Sequence, residues 1–478
     1  MISHGYPPSS FCISTLIPIP KSRLSSQSDS NNYRAIALSS LFCKMLDSCI
    51  LEMQSLVFKS HDLLFAYKAD HSTIQCVSMI KETIDYYQSK STQVYMCMLD
   101  ASKSFDRVNL LLLFRKLTVR GMCPPILRFI IKQYINQSIQ VRWNGDLSDR
   151  YAITNGVKQG GVMSPILFNL YMQDLIECLE RRGYGCHMGN YFSGCFIYAD
   201  DITLLAPSAQ SMNGMLQVCE KYATDHDIMF NPVKTKCMHF TNNNHVPGTV
   251  SFIKNSLGFV NNCTLLGVEL TNCFTIDVLS SVKKFNCKFM SLFLDFKHLE
   301  SDILSKMIST YCLDAYGSQL WDFEGNIVES YYVAWRKALR KAWGLPYRTH
   351  CNLIPFIADC LPIDVILQKR FLKYLWKCFN TDNSIVRHII SISLNHGKST
   401  IGINFRYLAF KYKINCGYWH NNFSYINNCI SDYIENGNSQ DMYNIGIIIR
   451  DLCLSKADGQ FLFDNVQRKE FIELLCIT

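Results

Sequence analysis

Two adjacent aspartates interrupt an apolar stretch near the middle of the chain. Asp200 and Asp201 lie within "CFIYADDITLLAPS", residues 195–208, where aromatic and aliphatic residues flank them on both sides. Two buried, unpaired carboxylates would strongly destabilise a fold unless a positive group met them. The pattern therefore indicates a metal ion or a basic partner. The alternative is an exposed hairpin turn, where aspartate is common.

A third carboxylate, Asp100, follows "QVYMCML", residues 93–99, which reads as a buried strand. If this strand neighbours the hairpin of Asp200 and Asp201 in one sheet, Asp100 faces the hairpin tip. The alternative role, N-cap of the following helix, is compatible with metal binding. Three carboxylates repel one another unless cations lie among them, and magnesium prefers such sites. Two ions about 4 Å apart can clamp the oxygens of phosphoryl transfer, which predicts attack of a 3′-hydroxyl on a nucleotide α-phosphate.

The segments around these carboxylates carry clear signals of secondary structure. Residues 1–35 contain four prolines and a polar run, which predicts loop, and residues 36–90 have a helical pattern. "RVNLLLLFRKLTVRG" predicts a helix that ends at Gly121. From about residue 275 onward the pattern is mainly helical, without a sharp motif.

A glycine-rich loop, "NGVKQGGVMSPILFNLY", leads into the clearest helix of the chain. Ser164 fits the N-cap of this helix, Pro165 its first position and Gly183 its C-terminal end. Before the loop, residues 139–157 predict a hairpin that turns at Asn144-Gly145. The loop thus lies between a hairpin and a helix N-terminus.

Composition limits the classes of protein to which the chain can belong. It has 478 residues, of which 48% are hydrophobic, so it can bury large cores and is not a disordered protein. The net charge of +8 is compatible with a polyanionic partner. The 22 cysteines include no C-x-x-C pair, which argues against zinc ribbons and favours reduced thiols in an intracellular protein. No secretory signal and no apolar run of about 18 residues is present, which predicts no membrane association.

Three motifs in order resemble those of reverse transcriptases, in particular those of non-LTR (LINE-type) retrotransposons. "LDASKSFDRV" resembles the first carboxylate motif, "NGVKQGGVMSPILFNLY" the template-and-nucleotide loop, and "YADD" the Tyr-x-Asp-Asp box. "LIPIPKSRLSSQSDSNNYRAIALSSLFCKMLD" resembles fingers motifs, and "NPVKTKCMHF" and "LLGVEL" later palm motifs. The resemblance covers roughly residues 1–350. It implies an α+β right-hand polymerase with fingers and palm in 1–250, the end of the palm and a thumb-like region in 251–350, and a helical C-terminal region of unknown role in 351–478.

The resemblance also implies a role for individual residues. Asp100, Asp200 and Asp201 would be the catalytic carboxylates and the ligands of two Mg²⁺ ions, for which Mn²⁺ could substitute. Phe105 would lie against the sugar, where it excludes a 2′-hydroxyl, and Tyr198 belongs to the Tyr-x-Asp-Asp box. Gln159 and Gly160 would lie beside the nascent base pair. Among the basic residues, Arg34 and Lys21 would lie near the triphosphate, and Lys234 or Lys236 would contact the leaving pyrophosphate. Without the resemblance, Phe105 would be read as a core residue and the basic residues as solvated surface charges.

The implied activity is RNA-directed DNA polymerisation, with an RNA template, a DNA primer and deoxynucleoside triphosphates as partners. A second hypothesis is a catalytically inactive retroelement remnant that acts only as an RNA-binding scaffold. An RNA-directed RNA polymerase is disfavoured by Phe105 and Tyr198, because an aromatic ring against C2′ clashes with a ribose hydroxyl. The family resemblance implies a location in the nucleus and cytoplasm.

The sequence departs from the family pattern at three places. The fingers box reads "YRAI", with Ala35 where proline is usual, and a box that commonly carries Gly-Phe has Ala66 and Tyr67. Residue 1 falls already within the fingers. We therefore expect a partial copy, the polymerase portion without the upstream endonuclease.

Overall fold

The computed structural model describes residues 2–22, 26–241, 246–272, 276–415, 417, 419–420 and 423–437. The helices are α1 Ser9–Cys12, α2 Leu41–Met53, α3 Thr73–Ser89, α4 Leu110–Val119, α5 Pro124–Ile135, α6 Ser164–Arg182, α7 Ala209–Asp225, α8 Val278–Phe296, α9 Ser301–Met307, α10 Asn326–Ala342, α11 Ile354–Ile357, α12 Ile363–Phe379, α13 Ser384–Asn395, α14 Thr400–Lys411 and α15 Phe423–Gly437. Among the described residues, no helix combines the length and hydrophobicity needed to span a bilayer.

The strands are β1 Ile13–Pro20, β2 Tyr33–Leu38, β3 Val94–Asp100, β4 Ser138–Trp143, β5 Asp146–Leu147, β6 Tyr151–Ala152, β7 His187–Met188, β8 Tyr191–Phe192, β9 Cys195–Tyr198, β10 Asp201–Ala206, β11 Lys236–Phe240, β12 Ser251–Phe252, β13 Asn255–Ser256, β14 Asn262–Leu265 and β15 Val268–Thr271. The chain divides into two compact units. An N-terminal unit comprises residues 1–76 and 90–261, and a C-terminal unit comprises residues 77–89 and 262–478. Helix α3 therefore contributes its first residues to one unit and the rest to the other.

A four-stranded sheet forms the centre of the N-terminal unit, with strand order β11-β3-β10-β9. Neighbouring strands are antiparallel throughout. The apolar residues of β3 are almost all buried, as expected for a central strand covered on both faces. The sequence-predicted strand before Asp100 and the hairpin of Asp200 and Asp201 are both confirmed and are direct neighbours.

A second sheet of the same unit contradicts the prediction of loop for residues 1–35. Strand β1 pairs antiparallel with β2 along its length and parallel with β4 only at residues 13–16. Pro18 and Pro20, which suggested loop, lie beyond the β4 pairing, where that edge of β1 needs no amide donor. Proline is therefore tolerated in this strand, and the loop prediction was wrong.

Helix α6 follows the glycine-rich loop, and its start differs from the prediction by one residue. Met163 is the N-cap without a side-chain cap, so Ser164 is the first helical residue and Pro165 the second. Gly183 ends the helix as predicted, in the left-handed region with φ of 68°. The prediction of Ser164 as N-cap was wrong because proline is equally acceptable at the second position of the first turn.

The C-terminal unit is mainly helical in its described part, as the sequence predicted from residue 275 onward; residues 438–478 lie outside the described residues. Trp321, Tyr331 and Trp335 are fully buried in its aromatic core. Two basic residues of "WRKALRKAW" make contacts within the unit. Arg340 donates to the Thr349 carbonyl oxygen at 2.9 Å, and the Lys341 ammonium lies 4.5 Å from the ring centre of Phe293.

Candidate active site

The three aspartates meet at one end of the four-stranded sheet. Asp201 at the start of β10 lies directly opposite Asp100 at the end of β3. Asp200 occupies the turn between β9 and β10, and its carbonyl oxygen accepts a hydrogen bond from the Ala101 amide at 3.4 Å. The alternative role of Asp100 as a helix N-cap does not hold, because Asn109 caps α4.

The turn between β9 and β10 has only two residues, and neither of them is glycine. Tyr198 pairs with Asp201, so Ala199 and Asp200 alone form the turn. Ala199 has φ of 56°, a left-handed conformation that costs a non-glycine residue about 1–2 kcal/mol. Such strain is common where a fold must hold functional groups in a fixed place. Here it projects two carboxylates from the end of the sheet.

The electrostatics of the three aspartates show an excess of negative charge. Burial raises the pKa of Asp201 to about 6, and the charges of Asp200 and Asp100 add to this rise. Burial also raises the pKa of Asp200; a hydrogen bond of its own backbone opposes the rise, and the charge of Asp100 adds to it. Since both side chains keep solvent access, their carboxylates are available to a cation that would relieve the repulsion.

The donor set fits a hard divalent cation in an open site. Within the described residues, no group of three or more histidine, cysteine, aspartate or glutamate side chains, Asp100, Asp200 and Asp201 included, is arranged so that it could hold a metal ion by itself. Magnesium does not require such a group, because it commonly binds one or two carboxylates together with substrate phosphates and water. Asp100, Asp200 and Asp201 provide hard oxygen donors of this kind.

Lys234 forms an ion pair with one of the three aspartates, Asp100. Its ammonium lies 3.2 Å from Oδ2 of Asp100, and its side chain is 65% exposed. The backbone is held in place because the Asn231 amide donates to the Asp100 carbonyl oxygen at 3.0 Å. Lys236, the other lysine considered from sequence, lies in β11 opposite Met98. The fold therefore brings Lys234, not Lys236, into contact with a carboxylate.

Phe105 begins a short 3-10 turn, Phe105–Arg107, directly after β3. Its ring stacks on Phe168 of α6, with ring centres 4.6 Å apart and an interplanar angle of 18°. The ring of Tyr67 meets it edge-on at 6.3 Å and 83°. Phe105 is thus largely buried and held by aromatic rings from two other segments.

The glycine-rich loop is tied to Phe105 on one side and to strand β2 on the other. The Val157 amide donates to the Phe105 carbonyl oxygen at 2.8 Å, and the Ala37 amide to the Gln159 carbonyl oxygen at 2.6 Å. Gly160 has φ of 100°, and a Cβ there would lie 2.8 Å from the Ala37 carbonyl oxygen. This position therefore requires glycine. A cavity of about 280 Å³ is lined by the loop, by Ala35 and Ala37 of β2 and by Asp106.

The two basic residues predicted near the triphosphate differ in their surroundings. Arg34 lies exposed on β2, and its charge opposes the rise in the pKa of Asp200. The Lys21 ammonium instead donates to the Asn31 carbonyl oxygen at 2.8 Å. Its charge acts on Asp106, where it opposes a rise in pKa caused mainly by burial.

Comparison with known proteins identifies the family. Residues 19–270, just over half of the chain, match the family described as reverse transcriptase (RNA-dependent DNA polymerase). The chain belongs to this reverse transcriptase family. It accordingly has the family's α+β right-hand polymerase fold.

Individual relatives confirm the resemblance to non-LTR retrotransposon polymerases. The chain is 28% identical over 148 residues to a Pol polyprotein from the retrotransposable element R2DM of Drosophila melanogaster, which covers 31% of this chain and 13% of the relative. It is 25% identical over 235 residues to the R2 polyprotein of Nasonia vitripennis, covering 48% and 22%. The RNA-directed DNA polymerase from mobile element jockey of Drosophila funebris is 24% identical, covering 45% and 24%. The chain thus matches less than a quarter of the length of these relatives.

Solved structures of apo telomerase are among the similar folds. The apo telomerase of Candida tropicalis has a TM-score of 0.41 and 14% identity, covering 84% of this chain and 68% of that chain. A form truncated from the C-terminal domain has a TM-score of 0.39 and 14% identity, covering 56% and 54%. The family assignment rests on the sequence match.

Two features near the site were not assigned a role from sequence. The first is the contact of Tyr67 with Phe105, which joins residues far apart in the chain. The second is Lys158, the only charged residue in the loop segment 155–168. Its ammonium nitrogen is buried and has no hydrogen-bond partner among the described residues. Its charge among glycines and apolar residues is a signal that could have marked it.

Proposed function

We propose that this chain is an RNA-directed DNA polymerase that adds deoxynucleotides to a DNA primer on an RNA template. The observation that carries the proposal is the cross-strand register of Asp100 and Asp201, with Asp200 in the adjoining turn, in a member of the reverse transcriptase family. This arrangement gathers three oxygen donors at the exposed end of a rigid sheet. Such a set suits nucleotidyl transfer, which depends on positioning and on compensation of charge.

Asp100, Asp200 and Asp201 would hold two Mg²⁺ ions, and Mn²⁺ could take their place. When bound, these ions supply the positive charge that activates a primer 3′-hydroxyl and compensates the charge of the leaving oxygen. The protein's contribution is to hold the carboxylates in fixed positions. The strained turn and the antiparallel register fix these positions, and the charge of Lys234 opposes the rise in the pKa of Asp200 and of Asp201.

Basic side chains would contact the nucleotide phosphates. Lys234, which pairs with Asp100, would meet the leaving pyrophosphate, which gains negative charge in the transition state. Arg34, whose charge acts on Asp200, would bind the triphosphate. Lys21, whose ammonium donates to the Asn31 carbonyl oxygen, would also contribute near the triphosphate.

The sugar and base would lie along the surface formed by Phe105 and the glycine-rich loop. Phe105, with Tyr198 nearby in the Tyr-x-Asp-Asp box, would face the sugar and exclude a 2′-hydroxyl. Gln159 and Gly160 would lie beside the nascent base pair, where the absence of a Cβ lets the backbone approach β2 closely. The template would be RNA and the primer DNA, with deoxynucleoside triphosphates as substrates.

The domain roles and cellular location are part of the same proposal. Residues 1–250 would form fingers and palm, residues 251–350 the end of the palm and a thumb-like region, and residues 351–478 a helical C-terminal region of unknown role. Copying would take place within the cell, in the nucleus and cytoplasm.

Primer extension tests the proposal directly. The assay uses an RNA template, a DNA primer, Mg²⁺ and deoxynucleotides with the wild type, Asp100→Asn and Asp200→Asn, and Asp146→Asn as a matched control on exposed strand β5. We expect both site variants to lose at least about 100-fold in rate, because each removes a charged donor, while the control keeps wild-type activity. Chelation of the divalent ions should abolish extension.

The same proteins are tested for RNA binding, which separates the two hypotheses. Wild-type extension that disappears in both site variants, with RNA binding unchanged, supports the polymerase. A folded wild type that binds RNA but extends no primer would overturn it and would favour the inactive RNA-binding scaffold.

A further inference from the structure

Tyr67 is unusual in its backbone conformation, its exposure to solvent and its contact with Phe105. It is a bulky aromatic residue with φ of 61°, in the left-handed region that such residues rarely adopt. Its side chain is 50% exposed although the three residues before it are buried. Its ring contacts the ring of Phe105, which lies 38 positions later in the chain. Strained conformations of this kind persist where the surrounding structure enforces them, commonly at functional sites.

The backbone on the N-terminal side of Tyr67 is anchored to strand β9 and helix α6. The Phe65 amide donates to the Ile197 carbonyl oxygen of β9 at 2.9 Å. The buried side-chain amide of Asn169 on α6 donates to the Ala66 carbonyl oxygen at 2.8 Å. Both anchors are on elements that also hold the site, since β9 leads into Asp200 and α6 carries Phe168. Tyr67 is therefore placed relative to the site by rigid elements.

The ring of Tyr67 completes the aromatic support of Phe105. Phe168 stacks on Phe105 at 4.6 Å, and Tyr67 meets the Phe105 ring edge-on at 6.3 Å. Burial chiefly raises the pKa of Tyr67, and the charges of Asp200 and Tyr198 add to this rise.

We propose that Tyr67 is a positioning residue for sugar selection: its ring holds Phe105 in the orientation that excludes a 2′-hydroxyl. The inference rests on the proposed polymerase function. With Phe168 on one side only, Phe105 could tilt and admit a ribonucleotide. The edge-on contact of Tyr67 prevents this movement. The ring, not the hydroxyl, carries this role.

Single-nucleotide incorporation of dTTP and UTP opposite adenine in an RNA template tests the proposal. The variants are Tyr67→Phe, Tyr67→Ala and Tyr67→Gly, and the control is Tyr184→Ala, another partly exposed tyrosine of the same unit. We expect Tyr67→Ala and Tyr67→Gly to lower the preference for dTTP over UTP, measured as the ratio of kcat/KM values, about tenfold. Tyr67→Phe retains the ring and should keep the wild-type ratio, as should the control.

The ratio separates a positioning role from a merely structural one. A loss of folded protein lowers incorporation of both nucleotides equally and leaves the ratio unchanged, and glycine tolerates the left-handed backbone at this position. In addition, Phe105→Ala and the double variant with Tyr67→Ala should show the same ratio, because Tyr67 acts through Phe105.

Two results would overturn the inference, and they are distinguishable. If the wild type extends primers but Tyr67→Ala and Tyr67→Gly both keep its ratio, Tyr67 does not position Phe105, and the polymerase function stands. If the folded wild type incorporates neither nucleotide, the proposed function fails and this inference fails with it.

Discussion

Lys234 shows how a single residue gains a role from its backbone surroundings. It lies two positions before Lys236, and sequence alone does not distinguish the two lysines. The hydrogen bond from Asn231 to the backbone of Asp100 holds this turn against the end of β3, and Lys234 then reaches the Asp100 carboxylate. Lys236 already belongs to the ladder of β11. The difference between them is therefore one of position, not chemistry.

We predict that Lys234→Ala lowers kcat for primer extension about 10- to 100-fold, because a cation at the leaving pyrophosphate acts mainly in the transition state. Lys236→Ala is the matched control and should stay within about twofold of the wild type. Steady-state kinetics at saturating Mg²⁺ would measure both. An equal loss of kcat in the two variants would assign the effect to general charge around the site.

A buried polar cluster links several elements below the glycine-rich loop. Asp47 of α2 is only 7% exposed, and burial raises its pKa to about 6, against the hydrogen bond of Gln133 and the charge of Lys158. Burial in turn lowers the pKa of Lys158, while the charges of Cys43, Cys12 and Asp47 act in the opposite direction. The cluster connects α2 and α5 with the loop that carries Gln159.

The raised pKa of Asp47 predicts a specific pH dependence of stability. Because the pKa of about 6 in the folded protein exceeds the unfolded value of 3.8, folding favours the protonated form. Protonated Asp47 contributes about 3 kcal/mol to the free energy of unfolding. This contribution is complete below about pH 4 and is lost as the pH rises through 6. Asp47→Asn should therefore unfold at a higher temperature than the wild type at pH 7.5 and at a similar temperature at pH 3.5.

Thermal unfolding at the two pH values would measure this difference, with exposed Asp149→Asn as the control. If Asp47→Asn were less stable than the wild type at pH 7.5, pairing of the carboxylate with Lys158 would outweigh the cost of its burial. The sign of the change thus decides which of the two effects dominates at Asp47.

The elements that the sequence predicted are those whose signals are local. The apolar run of β3, the hairpin of Asp200 and Asp201 and the end of α6 at Gly183 each depend on neighbouring residues in the chain. Strand β1 was missed because its pairing with β4 joins residues more than 100 positions apart, and this pairing decides where proline is tolerated. The contact of Tyr67 with Phe105 is non-local in the same way. Asp100 could be located because the family motif supplied the long-range information.

At the scale of the whole molecule, α3 shows that the two compact units are not consecutive segments of chain. Residues 77–89 of this helix belong with the C-terminal unit, although the N-terminal unit continues to residue 261. Glu82 is buried, accepts a hydrogen bond from the Ser399 hydroxyl and another from the Ile401 amide at the N-terminus of α14. Lys81 donates to Thr400 at 2.6 Å and to Asp85 at 2.8 Å.

We predict that a chain ending at residue 261 does not fold to a stable, soluble protein, although it contains all three aspartates of the candidate active site. The truncation removes the Ser399 and Ile401 partners of Glu82 and the Thr400 partner of Lys81. It also exposes Met79, Ile80 and Ile84, which are at most 1% exposed in the full chain.

A chain ending at residue 437 keeps α14 and is the matched control. Size-exclusion chromatography and thermal unfolding would compare the two. A monomeric 1–261 fragment with a cooperative transition would show that residues 77–89 can be accommodated without the C-terminal unit, and that the N-terminal unit folds independently of it.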